Sequence, residues 1–178
     1  MVNNSSEVSL AIKRLLSNDP TLQELDLSKN KIGDRGAKCL GKALTINSTL
    51  QVLFLYDNKI GYRGAAYLAD ALAIRINSTL KLLDLRNNKI GDGGAKCLAN
   101  TLAKNSALQK LSLSKNNIGH DGAECLANAL VTNSTLQTLD MGSSKIGDDG
   151  AVDLANVLVT NSTLQALGLF DNKIGDRG

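Results

Sequence analysis

Six segments of this chain repeat one another at a nearly fixed interval. They read LQELDLSKNKIG from Leu22, LQVLFLYDNKIG from Leu50, LKLLDLRNNKIG from Leu80, LQKLSLSKNNIG from Leu108, LQTLDMGSSKIG from Leu136 and LQALGLFDNKIG from Leu164, with intervals of 28, 30, 28, 28 and 28 residues. A period of this length implies one supersecondary unit stacked many times, each copy burying its apolar face against its neighbours. Residues 1–178 are therefore expected to form a single domain without a linker.

Inside each unit the hydrophobic period changes. Leu25-Asp26-Leu27 and its copies, through Leu167-Gly168-Leu169, alternate with period two and are expected to be short strands. Ala37, Leu40 and Leu44 recur as Ala65, Leu68, Leu72 and as Ala95, Leu98, Leu102, spaced along one face of a helix. Small residues at the adjoining position, Gly41, Ala69, Ala99, Ala127 and Ala155, are expected to bring that helix close to the strand layer. Asp34, Asp92, Asp148 and Asp176 stand where an N-cap is wanted, and Asn-Ser-Thr at 47, 77, 133 and 161 closes each helix.

The period also disposes of a false signal. GAKCLGKA at 36–43 has the G-x-x-x-x-G-K core of a phosphate-binding loop, but GAKCLANT at 94 and GAECLANA at 122 show that its Gly-Lys is a variable filling of helix surface. Ala43 stands where such a loop needs Ser or Thr for Mg²⁺, and the segment lies inside the predicted helix instead of opening it.

The pattern L-x-x-L-x-L-x-x-N-x-I resembles the leucine-rich repeat, and the 28-residue length with a full helix resembles its ribonuclease-inhibitor-like class. The phrase NKIGDxGAxxLAxAL is most similar to repeats in the sensor regions of NOD-like receptors, and is similar to those of ribonuclease inhibitor and Ran GTPase-activating protein. The resemblance implies an α/β solenoid shaped like a horseshoe, with a concave parallel sheet of about six strands, convex helices, and a protein-binding role. It also implies that Asn30, Asn58, Asn88, Asn116 and Asn172 are buried and bonded to turn backbone. Ser144 breaks that series, so its turn is expected to be looser or water-bridged.

The two ends differ. Residues 1–21 align as a unit without its strand, Ile12 and Leu16 matching Leu40 and Leu44, and are expected to act as a helical cap. The sixth unit stops at Gly178, before its helix. Terminal units of a solenoid need shielding, so a piece of a longer protein is expected in preference to an end covered by another chain, self-association included.

Charge and cysteine usage narrow the partners. Lys and Arg total 20 against 17 Asp and Glu, placed singly along the chain, which argues against nucleic acid and membrane surfaces. No apolar run approaches the ~20 residues of a membrane span, and MVNNSSEV lacks the form of a secretory signal. Together with three cysteines at one repeat position, Cys39, Cys97 and Cys125, this points to free thiols in the cytoplasm. The Asn-x-Ser/Thr patterns, at Asn4, Asn47, Asn77, Asn133 and Asn161 among others, are then structural, not glycosylation acceptors. One histidine, His120, cannot complete a zinc site or a Ser/His/Asp or Cys/His grouping, so no metal, cofactor or catalytic residue is expected.

The candidate binding residues come from outward strand positions. Unit 2 presents Val52, Phe54 and Tyr56, with Leu82 of unit 3 expected beside Val52; Asp57, Asp84 and Arg86 are expected as a charged rim. Four clustered apolar side chains on a solvent-facing stripe suggest a hot spot for a partner, the alternative being ordinary scatter. Ala166 and Phe170 make a smaller patch near the open end. The two extra residues around Ile74, Arg75 and Ile76 read as a neutral insertion or a convex apolar contact. The function expected is a non-catalytic protein-interaction scaffold, the repeat region of a larger sensor or regulatory protein; the alternative is a Ran-type GTPase activator, for which Arg35, Arg63 and Arg177 are the available basic residues.

Overall fold

The computed structural model describes residues 4–73 and 79–178. Six helices and six strands alternate: α1 (Asn4–Leu16), β1 (Glu24–Asp26), α2 (Asp34–Leu44), β2 (Val52–Phe54), α3 (Tyr62–Ala73), β3 (Leu82–Asp84), α4 (Gly91–Leu102), β4 (Lys110–Ser112), α5 (His120–Leu130), β5 (Thr138–Asp140), α6 (Gly147–Leu158) and β6 (Ala166–Gly168). The insertion around Arg75 lies outside the described residues.

All six strands form one parallel sheet in sequence order, with Leu25, Leu53, Leu83, Leu111, Leu139 and Leu167 in register. Strands sit about 4.8 Å apart, whereas packed helices need roughly 8–10 Å. Stacking both in register bends the array, sheet inside and helices outside. The strands lie one residue earlier than the Leu-x-Leu triplets. The second leucine is nevertheless buried, because the ladder continues past the strand: Leu27 N–H donates to Phe54 O at 2.9 Å and Leu55 N–H to Asp84 O at 2.8 Å.

Helices α2 to α5 send their alanine and two leucines inward, as the periodicity predicts, Ala37, Leu40, Leu44, Ala65, Leu68 and Leu72 among them, whereas in α6 Ala151 and Leu154 are buried and Leu158 is exposed. Two details differ from expectation. The small residue after the first leucine faces the neighbouring helix, not the strand layer: a Cβ on Gly41 would stand 2.5 Å from the backbone oxygen of Tyr67. In α1 the core positions are filled by Ala11 and Leu15, while Leu16 is 49 % exposed. Val8, Ala11, Ile12 and Leu15 make the apolar stripe at helical spacing, so the first unit is aligned one residue earlier than the Ile12/Leu16 match implies. The loop after α1 is tied by Asp19, whose carboxyl is held down to about 2 by the Thr21 hydroxyl and the Arg14 guanidinium.

The repeat aspartates do not cap their own helices. α2 and α4 begin without a side-chain cap. Instead Asp34 Oδ1 accepts N–H bonds from Gly61 (2.7 Å) and Gly64 (3.0 Å) at the start of α3, and Asp92 Oδ1 accepts from Gly119 (2.6 Å) and Gly122 (3.2 Å) at the start of α5. Asp148 bonds Gly175 N–H in the same way. The cap is therefore supplied by the previous repeat, which places the carboxylate at the neighbour's positive helix end. Where Tyr62 and His120 replace the aspartate, the following glycine turns to positive φ, +57° at Gly91 and +68° at Gly147, and its N–H reaches the carbonyl of Asn116 or Asn172. Asp34→Ala is expected to cost about 1 kcal/mol, the usual value of a lost cap, and Asp34→Asn much less because its oxygen still accepts. Thermal melts of the two variants check this; equal losses would remove the capping role.

Candidate functional site

The concave face is built from three outward rows, contributed by the first and third residue of each strand and the residue two further on. Val52 pairs with Leu82, and Phe54 lies between Asp26 and Asp84 in the ladder. Val52, Phe54, Tyr56 and Leu82 are each half-buried. The leucines between them are fully buried, so these side chains are what the face offers to solvent.

Phe54 and Tyr56 share a shallow hollow with Asp84 and Arg86 of the third repeat and with Asp26, Ser28 and Lys29 of the first. Arg86 is held by a two-point fork: Nε donates to Asp84 Oδ1 at 2.9 Å and Nη2 to Oδ2 at 2.6 Å. Asp84 Oδ1 also accepts the Arg86 N–H at 3.0 Å. This hydrogen bonding raises the guanidinium pKa further and leaves the group charged at any working pH. The guanidinium carbon lies 5.5 Å from the Tyr56 ring centre, and Lys29 Nζ approaches the same ring at 5.7 Å. Two cations thus flank one aromatic ring at cation–π distance. A fork fixed on one side and a ring fixed on the other make a surface that loses little side-chain entropy on docking.

The charged residues expected as a rim separate. Asp84 is not on the rim: its side chain is 3 % exposed and lies beneath Arg86, which is 47 % exposed. It is buried because the short strand ends there and its carboxylate folds back onto the following N–H. Asp57 stands apart in the turn after β2, at φ +55°, accepting a 2.7 Å bond from Asn87 Nδ2. Val52 and Leu82 lie at the strand starts, outside the hollow. Asp26, Ser28 and Lys29 escape a reading of the sequence because their polar character gives no apolar signal; the ladder register would have placed them beside Phe54 and Tyr56. At the far end the Phe170 ring covers Gly142, filling the space that a side chain there would need, and remains 60 % exposed.

Two asparagine ladders hold this surface in shape. Asn58 Oδ1 accepts from the N–H groups of Asn30 (3.1 Å) and Ile32 (2.8 Å), while its Nδ2 donates to Leu27 O and Leu55 O. Asn88, Asn116 and Asn172 repeat the arrangement, each spanning two repeats. Asn30 bonds its own turn through Nδ2 to Ser28 O, and its Oδ1 is buried without a partner. At Ser144 the turn is not loosened. Its N–H still bonds Asn172 Oδ1 at 3.1 Å, and the shortened side chain is buried with Oγ unpartnered. The second ladder runs along the helix ends. Asn47, Asn105, Asn133 and Asn161 bond the N–H groups two and three residues ahead, and donate to the preceding helix at Leu15 O, Leu72 O, Leu102 O and Leu130 O respectively.

Other chemistry is sparse. Among the described residues, no group of three or more His, Cys, Asp or Glu side chains is placed to hold a metal ion, and no helix is long and apolar enough to cross a membrane. Cys39, Cys97 and Cys125 are free thiols, and burial pushes that of Cys125 up. His120 bonds Asp153 at 3.1 Å on the convex side.

The leucine-rich repeat profile matches residues 18–41, 47–69, 77–99, 104–127, 132–155 and 160–178, which is most of the chain. The chain belongs to the leucine-rich repeat family. Among solved structures, this leucine-rich repeat array is similar to leiomodin-1 actin-binding site 2, with 22 % identity, 89 % of this chain and 76 % of that one covered, and a TM-score of 0.59. It is also similar to the tropomodulin C-terminal domain from Caenorhabditis elegans, with 15 % identity, 86 % and 92 % coverage, and a TM-score of 0.72. At these identities the likeness concerns the fold. No curated protein matches the sequence of this chain.

Proposed function

We propose that the chain is a non-catalytic scaffold that binds a protein partner on its concave sheet, within the repeat region of a larger sensor or regulatory protein. The observation that carries this reading is the hollow at Phe54 and Tyr56, where two half-buried aromatic side chains meet a guanidinium fixed by a buried carboxylate. Aromatic and arginine side chains held rigidly at the centre of a face are the usual anchors of protein interfaces. Val52 and Leu82 extend the apolar area along the same strands, and Asp57 takes a place at its edge. The phrase NKIGDxGAxxLAxAL supports a parent of the NOD-like receptor kind, and the free cysteines support a cytoplasmic setting. Residues 1–21 serve as the cap of the first repeat, Leu15 and Ala11 closing the core.

The test is affinity capture with wild type and a Phe54→Glu/Tyr56→Glu variant, circular dichroism establishing that the variant keeps its fold. A protein retained by wild type, lost by the variant, and reproduced with the purified partner supports the reading. Actin belongs among the purified partners assayed, since the leiomodin-1 domain of similar fold is an actin-binding site. Equal retention by both proteins would move the binding surface away from the hollow.

A further inference from the structure

We propose that the turns after the strands form a second docking surface, a ridge of lysines that takes an acidic α-helical segment of a partner protein. Lys31, Lys59, Lys89, Lys145 and Lys173 occupy one repeat position, with Asn117 in the fourth repeat, and all six residues are exposed. In the sequence these lysines are far apart. The fold gathers them into a line. Lys59 N–H donates to Ile32 O, Lys89 N–H to Ile60 O and Lys145 N–H to Ile118 O, each at 2.8 Å, so the backbone ladder persists here. Positions 31, 59 and 89, and positions 117 and 145, are therefore about one strand spacing apart, near 5 Å.

The ridge position itself carries no acidic residue; Asp57 and Asp171 stand two residues before Lys59 and Lys173, and Asp57 accepts a bond from Asn87. The ion pairs Arg14–Asp19, Arg86–Asp84 and those of His120 include no ridge lysine. The carboxylates of the next turn, Asp34, Asp92 and Asp148, are occupied by backbone N–H groups of the following repeat. A row of ammonium groups closer together than the ~8 Å Debye length repels itself in physiological salt, and a complementary row of carboxylates removes that repulsion.

The spacing selects the occupant. Side chains at i, i+3 and i+4 of a helix are about 5–6 Å apart, so a glutamate stripe runs in step with the lysines. A DNA strand instead advances about 3.4 Å per phosphate along its axis and winds away from a straight row. The ridge also lacks arginine for two-point phosphate contact and aromatic rings for base stacking. Insertion into a bilayer needs apolar side chains beside the basic ones, whereas the flanking Asn58, Ile60, Asn88 and Ile90 are buried.

The test is fluorescence anisotropy of a labelled alanine-based peptide carrying glutamates at i, i+4, i+7 and i+11, its helicity confirmed by circular dichroism. Wild type is expected to bind it in low salt and release it as salt rises. Lys59→Glu/Lys89→Glu is expected to weaken binding at least about tenfold, since both reversed charges lie within one Debye length of the peptide. Lys59→Gln/Lys89→Gln should fall between, and serves in its place if the reversal disturbs the fold. Phe54→Ala/Tyr56→Ala, which changes no charge, should bind the peptide as wild type does, which separates this surface from the concave one. Absence of salt-sensitive binding, or equal binding by the folded lysine variants, overturns the proposal. Tighter binding of a DNA duplex or of phosphatidylserine vesicles than of the peptide overturns it as well.

Discussion

Asn88→Ala is expected to destabilise the array by about 3 kcal/mol, from one stranded buried N–H and the lost hydrogen bonds of the amide. The ladder geometry says which groups suffer. Leu55 O accepts from both Asn58 and Asn88, and Leu85 O from both Asn88 and Asn116, so each carbonyl keeps one partner. Ile60 N–H, bonded at 3.0 Å to Asn88 Oδ1, loses its side-chain acceptor in a buried turn. The damage concentrates between the second and third repeats. Asn88→Asp separates the two halves of the amide: it keeps an acceptor for Ile60 but presents a carboxylate to two carbonyl oxygens. It should be at least as destabilising as the alanine. Urea unfolding of both variants decides the matter, and a loss below about 1 kcal/mol for alanine, the value of an ordinary single hydrogen bond, would mean that water replaces the amide.

Ser144→Asn is expected to act in the opposite direction and stabilise by about 1–2 kcal/mol, by completing bonds that the other repeats make. Leu113 O and Met141 O each accept a single ladder amide, from Asn116 and Asn172, where their counterparts accept two. The introduced side-chain amide would supply the second, accept from the N–H groups of Asn116 and Ile118, and replace a buried hydroxyl that has no partner. For a chain of this size each kcal/mol corresponds to roughly 2–4 °C in Tm. A melt unchanged or lowered would show that the space at residue 144 does not admit an amide.

The fold is legible in the sequence because its determinants are local and repeated. Six Leu-x-Leu copies fix the strands to within a residue, and Ala37, Leu40 and Leu44 with their copies fix the buried helix face. Most of the misplaced features concern contacts between repeats. Asp34 looks like a cap of its own helix, since a one-unit reading offers no other N–H groups; its actual partners, Gly61 and Gly64, are 27 and 30 residues away. Gly41 reads as a strand-side contact for the same reason, and the lysines look dispersed because linear distance conceals their alignment. In the candidate site, Phe54 and Tyr56 stand out by their rarity as aromatics. Lys29 and Ser28 do not, because a polar residue in a turn carries no signal until the register sets it beside an aromatic ring. Asp84 is expected at the rim because composition alone cannot show that Arg86 folds over it.

The aspartate caps divide the horseshoe in a way that the repeat count does not suggest. Asp34 joins repeats one and two, Asp92 joins three and four, and Asp148 joins five and six. The joints between two and three and between four and five lack such a carboxylate, and the left-handed glycines there, Gly91 and Gly147, turn their N–H groups forward to Asn116 and Asn172 of the following repeat. The array is thus a train of three coupled pairs, and the couplings between pairs are where it should flex first, visible as faster hydrogen exchange at Gly94 and Gly150 than at Gly64 and Gly122. Phe54 and Tyr56 lie on one side of the first such joint, Leu82 and Arg86 on the other. A partner seated across them would act as a splint.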